Sequence, residues 1–164
     1  MGLDVSAYSK LTPAPDAERD EDGELVDYDT YIEFSEDDDF PGRLEGITPG
    51  AAYRMDGESD DFRAGSYSYY NEYRNELAKL GGWPGEDGNY CGACWDGAEG
   101  AFSEQINFTD CDGTLGPVVS AKLAKDYAAH AEKAEQVGGE FWELYQLWQR
   151  AFTLAADGGV VIFA

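Results

Sequence analysis

Basic residues are scarce in this chain. Eleven Lys and Arg stand against 34 Asp and Glu in 164 residues, a formal net charge of −23 with the one histidine neutral. That deficit argues against direct contact with nucleic acid or an anionic membrane, because both repel a surface of this sign. It leaves cations or a basic protein as the electrostatically favoured partners. Long apolar runs are missing too: nothing approaches the ~18 residues that mark a membrane span. The start, Met1-Gly2-Leu3-Asp4, has neither the basic residues nor the apolar stretch of a secretory signal. Ser6 stands at the right distance from Gly2 for an acylation motif, but Asp4 and the acidic surface oppose membrane binding. Three cysteines, an odd count, do not suggest a disulfide scaffold, and a reducing cytoplasm is the expected setting. With His130 as the single histidine and no nucleophile elbow, a Ser-His-Asp triad has no basis. No constellation in the sequence rises to a firm catalytic assignment.

Apolar and aromatic material is plentiful. The chain is 43% hydrophobic, with four Trp, eleven Tyr and eight Phe, which excludes a disordered protein. A chain of ~150 residues buries about two-thirds of its unfolded surface. One acidic α+β domain over residues 1–164 is therefore expected, with three helices packed on a small, mostly antiparallel sheet. Val26, Tyr28, Thr30 and Ile32 alternate with Asp27, Asp29, Tyr31 and Glu33, which predicts a half-exposed strand over Leu25–Phe34. A short strand is expected at Ala51–Met55. Gly65-Ser66-Tyr67-Ser68 offers helix N-caps before the stripe Tyr70, Tyr73, Leu77 and Leu80, and Gly81-Gly82 stops that helix. Residues 81–100 carry seven glycines and read as irregular; order returns around Phe102–Phe108. Pro117 suits a first helical position, and Val119, Leu123, Tyr127, Ala131 and Ala134 form the stripe of a helix over about 117–136. A third helix, about 140–156, is apolar on most sides and reads as a central core element. Val160–Phe163 closes the chain as a buried strand.

The charge is uneven. Residues 1–62 hold 19 acids and 4 bases, a net of −15; residues 63–164 hold 15 acids and 7 bases, a net of −8. The densest stretch, Asp16–Asp39, has 13 acids against Arg19 alone. Such a run is commonly a solvated face; the alternative is a surface for a basic partner.

Four groups of residues carry candidate chemistry. Cys91 and Cys94 form a CxxC, with Cys111 beyond it and His130 further on. A tight CxxC turn brings two thiolates to one zinc ion at ~2.3 Å, so Cys91, Cys94 and Cys111 are the candidate metal ligands and zinc the one cofactor considered. The Gly-rich flanks do not suit a redox pair, and small buried thiols are the plain alternative. Glu18, Asp20, Asp22, Gly23, Leu25 and Asp29 fall on the positions of a calcium loop, but Glu begins it, Asp ends it and prolines precede it, so a polar hairpin loop is expected. Asp110-Cys111-Asp112-Gly113-Thr114-Leu115 resembles the nucleophile motif of the haloacid-dehalogenase-like hydrolases, in which the first Asp attacks phosphorus and the second is the acid/base. No apolar first strand precedes it, and only 49 residues follow Leu115, so a polar turn before a helix is the expected role. Finally, Ser66, Tyr67, Tyr70 and Arg74 crowd a helix start, where free N–H groups, tyrosine rings and a guanidinium could hold a nucleotide-like small molecule. Core packing by the tyrosines is the alternative.

The segments FRAGSYSYYNEYRNELAKL, INFTDCDGTLGPVVSAKLAKDY and AFTLAADGGVVIFA, with the opening MGLDVSAYSKL, resemble a family of short uncharacterised proteins of phages, prophages and bacteria. The resemblance covers most of the chain and implies a mobile-element setting; it carries no activity and gives no residue a role. It does imply that the hydrolase-like DCDGTL phrase is accidental. The expected function is non-enzymatic: binding of a basic host protein by an acidic face, in imitation of nucleic acid. Small-ligand binding at Tyr70 and Arg74 and a metal or hydrolytic centre at Cys91, Cys94, Cys111 and Asp110 remain the alternatives.

Overall fold

A computed structural model describes residues 1–83 and 95–164. Its described strands are β1 (Leu3–Tyr8), β2 (Thr12–Pro13), β3 (Tyr31–Ile32), β4 (Tyr53–Arg54), β5 (Ser59–Gly65), β6 (Gly113–Leu115) and β7 (Val160–Phe163). Its described helices are α1 (Tyr67–Leu80), α2 (Ser103–Ile106), α3 (Pro117–Val137) and α4 (Gly139–Ala155). The fold is α+β, as the composition and periodicity predict.

The main sheet has the order β5-β1-β7-β6, with every pair antiparallel. Strand β7 is apolar throughout because both of its faces are covered. Val161 and Phe163 join Leu3, Val5, Ala7, Ala64 and Leu115 under the helices. Val160 packs on the other face with Leu11, Phe34, Leu44, Ile47 and Tyr53, joined by half-buried Tyr8 and Ile162. A small second sheet, β2-β4-β3, and its loops supply that second layer. The helices thus occupy one face of the main sheet and the small sheet with its loops the other, where the acid-rich segment is anchored through Ile32 and Phe34.

Helix α1 begins where Ser66 Oγ accepts from the Tyr69 N–H at 3.2 Å, and buries Tyr70, Tyr73, Arg74, Leu77 and Ala78. Helices α3 and α4 form a hairpin through Gly138, whose φ of +69° favours glycine. Across their interface Tyr127 packs on Tyr145 and Phe152, while Trp148 turns to the sheet, on Phe62 and Phe163; Tyr127, Tyr145, Trp148 and Phe152 are all fully buried. The α4 core role expected from its composition is therefore observed.

The strand expected over Leu25–Phe34 is not there: only Tyr31–Ile32 is extended into a ladder. Val26 and Tyr28, the supposed inner face, are 56% and 58% exposed. Asp27 Oδ1 accepts from the N–H groups of Asp29 and Thr30 at 3.1 and 3.0 Å. That local turn takes the donors a ladder would need. Conversely, the periodicity reading leaves β1 and β5 unmarked. Most side chains of β5 are polar because it is an edge strand, with Ala64 its one buried residue.

Candidate functional site

The helix-start candidates separate along α1. Ser66 is exposed and its hydroxyl is engaged as the cap, while Tyr67 packs half-buried against the core. Arg74 lies two turns on, about 12 Å along the axis at ~1.5 Å per residue. Tyr70 is fully buried, stacked near Trp148 and Tyr73. Burial pushes its phenol up to about 12, partly offset by the nearby Arg74 charge. The structure brings Tyr70 and Arg74 together, with the guanidinium 5.1 Å from the ring centroid, but not with Ser66.

Arg74 is 4% exposed and its donors are mostly committed. Nη1 donates to the carbonyls of Ile106 (3.0 Å) and Phe108 (2.6 Å), and Nη2 donates to Asn71 Oδ1. Its guanidinium carbon sits 3.9 Å from the Trp95 ring centroid, and Asp110 Oδ2 stands 3.8 Å from Nη2. Burial lowers the arginine's pKa, against the opposing effects of Tyr70 and Asp110. Arg43 performs the same task from the other side, donating to the carbonyls of Glu104 and Asn107 at 3.2 and 3.0 Å. Two arginines thereby satisfy the carbonyls at the end of the single-turn helix α2, which is too short to satisfy them itself. Behind them runs a buried chain: Tyr73 OH and Tyr127 OH are 2.9 Å apart, and Tyr127 OH donates to Gln105 Oε1 at 2.7 Å. Burial raises both phenols well above their usual range.

Of the metal candidates, Cys91 and Cys94 lie outside the described residues. Cys111 is exposed, its Sγ 3.5 Å from Thr109 Oγ1. His130 turns Nδ1 to the Asp126 carbonyl and packs on Phe102. Among the described residues no three metal-ligating side chains come together. In the hydrolase-like phrase, Asp110 accepts from Asn71 Nδ2 at 3.1 Å, and the motif's own last three residues form strand β6, so the two aspartates precede a strand instead of ending one. In the calcium-like loop, Asp20 Oδ1 accepts from the N–H groups of Asp22 and Glu24. Arg19 ties the loop down through the carbonyls of Gly23 and Gly50 and a 2.8 Å ion pair with Glu33. The segment is the polar hairpin its flanks predict, with Leu25 as its buried anchor.

The feature least visible in sequence is a cleft of about 530 Å³ on the sheet face opposite the helices. One side is the segment Glu33–Asp39; the other is Asp112, Gly113 and Thr114; Ile32, Phe34 and Ile162 contribute apolar surface. Of the 13 acids in Asp16–Asp39, 11 are exposed, and Glu33 and Asp37 are half-buried. Among the described residues only Glu33 of these 13 has an ion-pair partner. The carboxylates of Glu36 and Asp37 accept from the N–H groups of Gly42 and Asp39, which fixes the loop without neutralising it. The charge of this face was legible in the sequence; its placement beside β6, some 75 residues on, needed the fold.

Comparisons with protein-family models, with curated proteins and with solved structures find no match. Among the described residues no helix is long and apolar enough to cross a membrane.

Proposed function

We propose that this protein is a non-enzymatic binding protein whose acidic face captures a basic, nucleic-acid-binding partner by presenting carboxylates where that partner expects phosphates. One observation carries the reading. Residues 16–39 are anchored to one sheet face through Ile32 and Phe34, and of their 13 carboxylates only that of Glu33 is paired with a described basic side chain. A fixed array of unpaired anionic groups attracts a cationic surface at long range, and the attraction weakens with salt. The resemblance to short phage and prophage proteins is compatible with an inhibitor of a host protein, and a cytoplasmic setting follows from that reading. The small-ligand reading gains less support, since Arg74, its principal cation, is spent on the Ile106 and Phe108 carbonyls.

The test is affinity capture from a bacterial lysate on the immobilised protein, with and without added duplex DNA. Basic DNA- or RNA-binding proteins should be retained at low salt. They should be released by DNA and by raised salt, and be lost with the Glu36→Gln, Asp37→Asn, Asp38→Asn, Asp39→Asn variant. Retention that ignores both DNA and salt, or no retention of basic proteins, would sink the proposal.

A further inference from the structure

The outer edge of β6 carries information about the form of that partner. In the β1–β7 ladder, Asp4 and Ala164 exchange N–H···O bonds at 2.8 and 2.9 Å. Antiparallel partners alternate between bonded and non-bonded pairs. Ser6–Ile162 and Tyr8–Val160 therefore bond on the same side, and Val161 and Phe163 turn their N–H and C=O to β6. Their partners there are Leu115 and Gly113. Thr114, between them, must point its own N–H and C=O away from the sheet. The neighbouring outward position confirms the phase: Gly116 N–H donates to the Arg43 carbonyl at 2.8 Å. Asp112 N–H is held by Thr109 Oγ1 at 3.3 Å. Thr114 alone keeps an outward donor and acceptor with no partner among the described residues, and it lines the acidic cleft.

We infer that the open edge of β6 at Thr114 is a docking site for an extended Lys/Arg-bearing segment of a partner protein, which adds as a short strand between that edge and the Glu33–Asp39 wall. This inference rests on the proposed capture of a basic partner and specifies its shape at the contact. Strand addition draws on main-chain hydrogen bonds for register and on flanking side chains for specificity. Here the register comes from two bonds to Thr114. Every second side chain of the incoming strand would face the cleft, where its stem meets the surface of Ile32, Phe34 and Ile162 and a Lys or Arg head reaches Glu36, Asp37, Asp38 and Asp112. Charge complementarity selects the occupant: a second copy of this chain would bring acid to acid, and an anionic ligand would be repelled. The other sheet edge, β5, is protected differently, with Asp60 held by Arg150 and Arg63 paired to Asp4.

The experiment uses the full chain and a fluorescent eight-residue peptide of alternating Lys and Val, followed by anisotropy at low salt. A second peptide of the same sequence is N-methylated at every backbone nitrogen, which keeps the charge and removes the donors. Binding of the first peptide is expected, weakened at least about tenfold by N-methylation and by Thr114→Pro, the loss of one to two hydrogen bonds. Proline is tolerated at an edge-strand position whose N–H faces outward. Should Thr114→Pro disturb folding, the methylated peptide on the natural chain still decides. Equal binding of both peptides would overturn strand addition while leaving capture by charge intact. Binding of neither peptide would overturn it as well, and lysate capture would then judge the broader proposal separately.

Discussion

Removing the Arg74 side chain should cost the fold more than any surface change. In Arg74→Ala the carbonyls of Ile106 and Phe108 and the Asn71 side chain lose charged donors at once. A buried acceptor left unpaired costs about 1–3 kcal/mol. The guanidinium also stacks on Trp95 and Tyr70, and its alkyl stem fills core space, worth roughly another 1 kcal/mol. These losses overlap, so a total of about 3–5 kcal/mol is expected, in the range found for broken buried networks. A domain of this length loses ~2–4 °C of Tm per kcal/mol, so the midpoint should fall by roughly 10 °C. Urea unfolding followed by tryptophan fluorescence and far-UV circular dichroism measures the change. Arg74→Lys keeps the charge but not the two-pronged geometry, and should recover less than half of the loss. A destabilisation below about 1 kcal/mol for Arg74→Ala would refute the structural role and return Arg74 to ligand binding.

Tyr70→Phe should be nearly neutral, since the buried Tyr70 hydroxyl has no hydrogen-bond partner among the described residues, whereas Tyr127→Phe breaks bonds to Tyr73 and Gln105 and should cost about 1–2 kcal/mol in the same unfolding assay. Ser66→Ala removes the α1 cap and should cost about 1 kcal/mol, with Ser66→Asn restoring most of it. Alkaline pH should unfold the protein. The Tyr70 pKa is raised in the folded state, from 10.0 to about 12, so its contribution is complete below pH 10 and is lost between 10 and 12. The loss is about 3 kcal/mol from this residue, with Tyr73 and Tyr127 acting in the same direction. Stability measured across that range should fall, and tyrosinate absorbance should rise in a cooperative step; a flat profile would contradict the burial of these phenols.

The helices were legible because each signal was local. Ser66 announces α1, Pro117 announces α3, and Gly138-Gly139 separates α3 from α4, all within a few residues of the turns they control. Strand β7 was legible for a related reason: a short, wholly apolar run flanked by glycine suits a position covered on both faces. The segment 25–34 misled because its alternation is real while Asp27 closes a turn inside it, and local hydrogen bonding won over pattern. Strand β5 escaped notice because an edge strand wears polar residues and has no inner stripe to betray it. The site candidates followed the same division. Capping by Ser66 could be read from its neighbours, but Arg74 serves carbonyls 32 and 34 residues away, which no spacing rule reaches. The acidity of residues 16–39 was plain, while the unpaired edge beside it depends on which way Thr114 faces in the sheet.

The placement of β7 between β1 and β6 has a consequence for how the chain is made. Strand β1 can pair with β5 once residue 65 has emerged, but its other side stays open until residues 160–163 arrive. At ~5–20 residues per second, that interval lasts about 5–20 s. During it a nascent chain exposes a strand edge bearing Tyr8, the kind of edge that recruits neighbours on a crowded polysome. The 19 acids of the first 62 residues are synthesised before that interval begins. Their mutual repulsion would hold growing chains apart through it, so the same charge proposed to attract a basic partner would also protect the unfinished sheet from its own copies.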